Sequence, residues 1–126
     1  MKNAYLEHAN ITVTDPDAMA QLLCTLFEWK VRWQGGAKNE GYSVHVGDDN
    51  AYLALYKPVK LNAIVSDYKT LANVNHIGVV VADLDAVEAK ILSMGIDTFS
   101  HGDYEPGRRF YFMAQDNIEI EVVSYT

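Results

Sequence analysis

The sequence predicts an α+β protein built from two β-α-β-β-β modules in tandem, and three observations carry that prediction. The stretch Leu6-Glu7-His8-Ala9-Asn10-Ile11-Thr12-Val13-Thr14-Asp15-Pro16-Asp17-Ala18 returns as Val74-Asn75-His76-Ile77-Gly78-Val79-Val80-Val81-Ala82-Asp83-Leu84-Asp85-Ala86, 68 residues later. Each copy alternates apolar and polar residues and then changes to helical spacing, the pattern of a strand feeding a helix. The same separation reaches the module ends, where Tyr42 falls on Phe110, Val44 on Phe112, Asp48 on Asp116 and Leu55 on Val123. A gapless match over that distance is hard to obtain by chance.

The elements follow in order. From Leu6 to Thr14, Ala9, Ile11 and Val13 point one way and His8, Asn10, Thr12 and Thr14 the other, which makes a strand with two unlike faces. Thr14 or Asp15 can cap the next helix, with Pro16 tolerated in its first turn. Ala18 to Phe27 carries Met19, Leu22, Leu23, Leu26 and Phe27 at helical spacing, suited to packing on one sheet face. Trp29 to Gln34 reads as a strand ended by a Gly35-Gly36 turn, and Tyr42 to Val46 as the next. A Gly47-Asp48-Asp49-Asn50 hairpin leads to Ala51 to Tyr56. Residues 58–72 lack sustained periodicity and read as a linker that could include a short helix. In the second module, His76 to Val81 is a strand and Leu84 to Met94 a helix closed by Gly95. Ile96 to Ser100 is a strand, the stretch from Gly102 to Gly107 a loop, and Arg108 to Ala114 and Ile118 to Ser124 the last two strands. The modules span about 4–57 and 73–125.

A chain of 126 residues is one domain's length, 1–126, and buries about two-thirds of its unfolded surface. Its hydrophobic share of 49% and charged share of 21% suit a soluble globular protein. No apolar run approaches the roughly 20 residues of a membrane span. The first residues lack the apolar core of a signal peptide. The single cysteine, Cys24, excludes an internal disulfide framework, fits a reducing cytoplasm, and sits where packing is its expected role. A formal net charge of −7 argues against nucleic-acid binding, which depends on Lys and Arg neutralising phosphates. A small organic substrate or ligand is the expected partner.

The chemistry centres on the two equivalent histidines. Along the final strand Glu119, Glu121 and Val123 share one face, and Ile118, Ile120 and Val122 the other. If the apolar face packs on the helix, one glutamate lies with His76 on the opposite face. The separation of 68 places Leu53, or Ala54 if the register slips by one, where the second module has Glu121. Two neutral imidazoles and one carboxylate can bind a divalent metal and leave positions open, so His8, His76 and Glu121 are the expected ligands. Such a set holds Fe or Mn for oxygen chemistry, or Zn, Ni or Co as a Lewis acid. His45 could face the cleft for substrate contact or proton transfer. His101 should be solvated at a loop. Arg108 and Arg109 could grip a substrate carboxylate or phosphate by a forked contact, with at least one of them on the surface. Of the alternating residues Phe110 to Met113, one pair should line the cleft and the other fill the core. Trp29, Trp33 and Tyr52 read as core or rim.

At Leu6 to Asp15, at Asn75 to Asp83, and at the ending Phe110 to Val123, the chain resembles the vicinal oxygen chelate superfamily, the glyoxalase, bleomycin-resistance and extradiol dioxygenase group. The resemblance covers essentially the whole chain. It implies eight strands forming a cupped, barrel-like mixed sheet around a metal, with helices outside, and in many small members a site completed across a homodimer. His8, His76 and Glu121 match three of the family's four ligand positions. The fourth departs from glyoxalase I-like members, which carry Glu or Gln there, and that departure counts against a two-glutamate isomerase. The remaining set resembles that of extradiol dioxygenases and fosfomycin-resistance transferases, with His45 and Tyr111 as candidate acid–base groups beside Glu121. The expectation is a metal-dependent lyase, transferase or dioxygenase acting on a small oxygen-bearing substrate. The alternative is a metal-free binding protein of the bleomycin-resistance type.

Overall fold

The computed structural model describes residues 3–105 and 107–126. Pro106, in the predicted loop, and the first two residues of the amino terminus lie outside them. The chain divides into two compact units, one ending at Asn62 and the other spanning Ala63–Thr126. Each unit is one βαβββ module, so the predicted α+β class and element order are observed. Hydrogen bonding gathers the eight strands into two four-stranded mixed sheets, one per module.

In the first module the order along the chain is β1 (His8–Thr12), α1 (Pro16–Phe27), β2 (Lys30–Ala37), β3 (Gly41–Gly47) and β4 (Tyr52–Lys57). The sheet order is β1-β4-β3-β2, with β1 parallel to β4 and the other pairs antiparallel. Asp15 caps α1 by accepting a hydrogen bond from the Ala18 N–H, and Pro16 opens the helix, where its missing N–H costs nothing. Met19, Leu23 and Leu26 of the helix are buried together with Val44, Val46, Leu53 and Leu55 of the sheet. Alternation along β3 and β4 therefore turns Ser43, His45, Tyr52, Ala54 and Tyr56 to the other face.

The second module repeats this with β5 (Ile77–Val80), α2 (Leu84–Ser93), β6 (Thr98–Tyr104), β7 (Gly107–Met113) and β8 (Glu119–Ser124), in sheet order β5-β8-β7-β6. Asp83 caps α2 as Asp15 caps α1, through the Ala86 N–H. Phe110, Phe112, Ile120 and Val122 are fully buried with Ile91 of the helix, as the apolar face of these strands requires. Their alternates, Arg109, Tyr111, Glu119 and Glu121, are only partly covered.

Several boundaries differ from expectation. Gly35-Gly36 does not end β2; the strand runs through both glycines and turns at Asn39 and Glu40, which take left-handed backbone angles of φ 57° and 60°. β6 likewise continues through His101 to Tyr104, so the loop before β7 is shorter than predicted. The linker contains no helix. It is organised instead by Asp67, whose carboxylate accepts hydrogen bonds from the Lys69 and Thr70 N–H groups and the Thr70 hydroxyl. Among the described residues no helix is long and apolar enough to cross a membrane.

Candidate functional site

The first module collects rings on the sheet face turned away from α1. Register sets His8 beside Tyr52, Asn10 beside Ala54, and Ala54 beside His45, which pairs in turn with Trp33. The His8 ring stacks on Tyr52 at 4.9 Å, Tyr52 on His45 at 4.7 Å, and Trp33 tilts against His45 at 5.0 Å. The Arg32 guanidinium lies over the Tyr52 ring at 4.6 Å, a cation–π contact that a neutral aromatic carries well. Tyr52, read from sequence as core or rim, is the centre of this stack. Burial, and after it the nearby His8 and Arg32, push the His45 imidazole below its ordinary pKa, because each disfavours a further positive charge. Trp29 packs on Phe27 and belongs to the structural reading.

In the second module a charged group sits on the equivalent face. His76 Nε2 lies 3.2 Å from Glu121 Oε1, and the other carboxylate oxygen accepts from Arg109 at 2.8 Å. Arg109 also donates through Nε and its second terminal nitrogen to the Gly107 carbonyl, and its guanidinium covers the Tyr104 ring at 4.8 Å. Arg109, a candidate for gripping substrate, is thus engaged by its own chain. Arg108 is the surface arginine and pairs with Asp85. Tyr111, in register with Glu121, meets the His76 ring edge-on at 5.8 Å. Burial and the adjacent Glu121 carboxylate hold its hydroxyl above the usual phenol pKa, so it stays protonated at neutral pH. Phe110 and Phe112 fill the core while Tyr111 lies at the site and Met113 is exposed, the division that alternation required.

Both histidines are oriented by the residue before them. Asn75 Oδ1, which can only accept, lies 2.7 Å from His76 Nδ1, and Glu7 Oε1 lies 2.8 Å from His8 Nδ1. Each Nδ1 therefore carries a proton, and each ring keeps Nε2 as its outward nitrogen. At His76 that nitrogen faces a carboxylate oxygen.

The linker adds Tyr68, which the sequence reading passed over. Its hydroxyl donates to Glu119, which pushes its pKa up to about 12, and its ring lies over His76 at 6.3 Å. His101 is not a free loop residue; it bonds Glu88 on α2 at 2.5 Å and belongs to a separate surface cluster with Thr98. Within neither module do three His, Cys, Asp or Glu side chains of the described residues converge as a complete metal set. Cys24 is a half-buried free thiol whose pKa burial raises, consistent with packing.

Register also resolves the fourth position. Gly78 pairs with Glu121, and its equivalent Asn10 pairs with Ala54, so Ala54 rather than Leu53 occupies the place of Glu121. Leu53 faces α1 in the core. The slip arises in the strand connections: Gly41 and Gly107, which open β3 and β7, are only 66 apart (107 − 41), and a β7–β8 hairpin one residue longer than that of β3 and β4 brings the separation to 67 (121 − 54) at Ala54 and Glu121. The separation of 68 therefore does not run gapless to the module ends.

No curated protein sequence is significantly similar to this chain. Among solved structures it is similar to the glyoxylase/bleomycin resistance protein/dioxygenase domain from Frankia sp. EAN1pec, at 19% identity and a TM-score of 0.81, covering 96% of this chain and 97% of that one. It is similar to the fosfomycin resistance protein FosX from Listeria monocytogenes complexed with Mn(II) and sulfate, at 18% identity and a TM-score of 0.73, over 100% and 95%. It is also similar to TnmS3, an antibiotic binding protein from Streptomyces sp. CB03234, at 14% identity and a TM-score of 0.74, over 100% and 99%. At these identities the likeness is one of fold. The family model matches residues 5–122, nearly the full length, and the chain belongs to the Glyoxalase/Bleomycin resistance protein/Dioxygenase superfamily.

Proposed function

We propose that this protein is a divalent-metal-dependent enzyme acting on a small oxygen-bearing substrate, with His8, His76 and Glu121 as the metal ligands. The observation that carries the reading is the His76–Glu121 pair. Its 3.2 Å N···O separation is close to the roughly 3 Å edge between neighbouring ligands on a metal with bonds of about 2.1 Å, and Asn75 leaves Nε2 free to bind. A bound ion supplies Lewis-acid polarisation of a substrate oxygen pair. Arg109 occupies the second oxygen of Glu121 and leaves Oε1 for ligation. Tyr111 holds a proton beside His76 and serves as donor, and His45, kept neutral, serves as acceptor.

The FosX structure with Mn(II) supports a metal-binding reading on this fold. Elemental analysis of protein purified without chelators, followed by titration with Fe, Mn, Zn, Ni and Co, tests it. Near-stoichiometric binding that His76→Ala abolishes is expected. Failure of all five metals to bind the refolded, monodisperse protein rejects it.

A second reading, metal-free sequestration of a small molecule, is favoured by the first module's stack of His8, Tyr52, His45 and Trp33 and by the likeness to TnmS3. Under it, His76→Ala leaves ligand affinity unchanged. We further propose a cytoplasmic homodimer acting on a small molecule, the compartment from the single cysteine, Cys24, and the dimer from the family resemblance.

A further inference from the structure

The first module holds a cleft of about 390 Å³ on the sheet face opposite α1, lined by Asn10, Trp33, Lys38, Ser43, His45 and Tyr56 with the backbone around Gly36. That volume lies at the lower end of those that take small organic ligands. Its walls are rings: the indole of Trp33, the imidazole of His45 and the phenol of Tyr56. Tyr56 donates its hydroxyl to the Lys38 carbonyl at 2.6 Å, which fixes that wall. Trp33 is 48% exposed, so an apolar face is left open to solvent where a ligand ring could cover it.

At the floor lies Ser43, 3% exposed, set by register between Gly35 of β2 and Tyr56 of β4. Its hydroxyl is buried and has no hydrogen-bond partner within the described residues. An unpaired buried hydroxyl is destabilising, and a group that can both donate and accept is suited to a ligand hydroxyl or carbonyl. No acidic side chain lines the cleft, and Lys38 stands at its rim, which disfavours a cationic guest.

We propose that this cleft binds a planar aromatic molecule carrying a hydroxyl or carbonyl group, neutral or singly anionic, with the ring against Trp33 and the oxygen on Ser43. None of its lining residues is among the proposed metal ligands, so its occupancy can be tested with and without a metal. It also narrows the sequestration reading, which by itself leaves a cationic ligand open.

The test uses the full chain and 2-naphthol as probe, with N-methylquinolinium as a cationic aromatic of similar size and cyclohexanol as a non-aromatic alcohol. Calorimetry and amide chemical shifts are read, in the presence and absence of EDTA. Binding of 2-naphthol with shifts at Ser43 and His45, unaltered by EDTA, is expected, with the other two probes at least tenfold weaker. Ser43→Ala, which removes only the unpaired oxygen, should fold normally and weaken 2-naphthol about fivefold, the loss of one hydrogen bond. Trp33→Leu should weaken it further. No binding at millimolar 2-naphthol, equal binding of the quinolinium cation, or full affinity in both variants overturns the proposal. Loss of binding with EDTA would also overturn it, since that would tie the ligand to a metal.

Discussion

Two adjacent arginines make ion pairs of the same 2.8 Å length in opposite surroundings, and their removal should have very different consequences. Arg108 meets Asp85 at the surface, where the side chains are 50% and 74% exposed. Arg109 meets Glu121 where they are 11% and 13% exposed. An exposed pair contributes about 0–1 kcal/mol, because water and salt screen it and two long side chains must be ordered. Removing one member of a buried pair costs about 3–5 kcal/mol, chiefly by leaving the other charge without compensation. Arg109→Met should therefore lose about 3 kcal/mol, a large part of the roughly 5–15 kcal/mol that holds a domain together. At about 4 °C per kcal/mol that is a fall in Tm of about 12 °C. Arg108→Met should change it by less than about 4 °C. Combining Arg109→Met with Glu121→Leu should recover most of the loss, a coupling of about 2 kcal/mol or more. Urea unfolding is best read by far-UV circular dichroism, since both tryptophans, Trp29 and Trp33, lie in the first module and do not report directly on the second. Equal losses for the two arginine variants, or strict additivity of the double variant, would refute the assignment of Arg109 to Glu121.

Three further outcomes follow from the same geometry. Asn75→Ala should weaken binding of Co(II) by about 10- to 100-fold without unfolding the protein, since the amide orients His76 and does not itself bind metal; titration of the visible Co(II) spectrum reads the change. Hydrogen bonds from His101 and then Thr98 hold the Glu88 carboxyl below its ordinary value of 4.5. Its stabilising contribution is thus fully present above pH 4.5 and lost as pH falls through the lower folded value, so the deficit of Glu88→Gln in urea midpoint should be constant at neutral pH and shrink towards pH 3. A Cβ placed on Gly47 would lie 2.2 Å from the Ala51 carbonyl oxygen and 2.6 Å from the Tyr52 Cα, both backbone atoms, so Gly47→Ala should cost about 2 kcal/mol or more in chemical denaturation.

What could be read in the sequence was whatever depends on neighbours along the chain. The Asp15 cap, the apolar stripe of α1, and the alternation that separates Phe110 and Phe112 from Tyr111 are local patterns, and each is found in place. The residue before each histidine was equally local. Glu7 and Asn75 are both acceptors, and that shared chemistry was available to a closer reading. Pairing across strands was not available. Gly35 and Gly36 look like a turn until β3 supplies partners along that stretch, and the turn falls instead on Asn39 and Glu40, whose left-handed backbone no periodicity announces. The link from Arg109 to Glu121 and the return of Tyr68 from the linker to Glu119 are likewise non-local. Small differences in length ahead of β3 and β7, only partly offset by the hairpins, were enough to change Leu53 to Ala54 as the counterpart of Glu121.

That one change alters how the duplicated modules compare. Glu121 stands in register with Tyr111, and Ala54 with His45, so the same sheet position holds a carboxylate in one copy and a methyl group in the other. In the second module the carboxylate lies between Arg109 and His76. In the first, the neighbouring positions carry rings and an unpaired hydroxyl instead of charge. A carboxylate at residue 54, which is 2% exposed, would need a compensating partner such as Arg109 provides for Glu121. The copies share caps, strand order and oriented histidines, and they differ on the sheet face turned from the helix: one carries a largely buried ion pair, the other stacked rings and an unpaired hydroxyl.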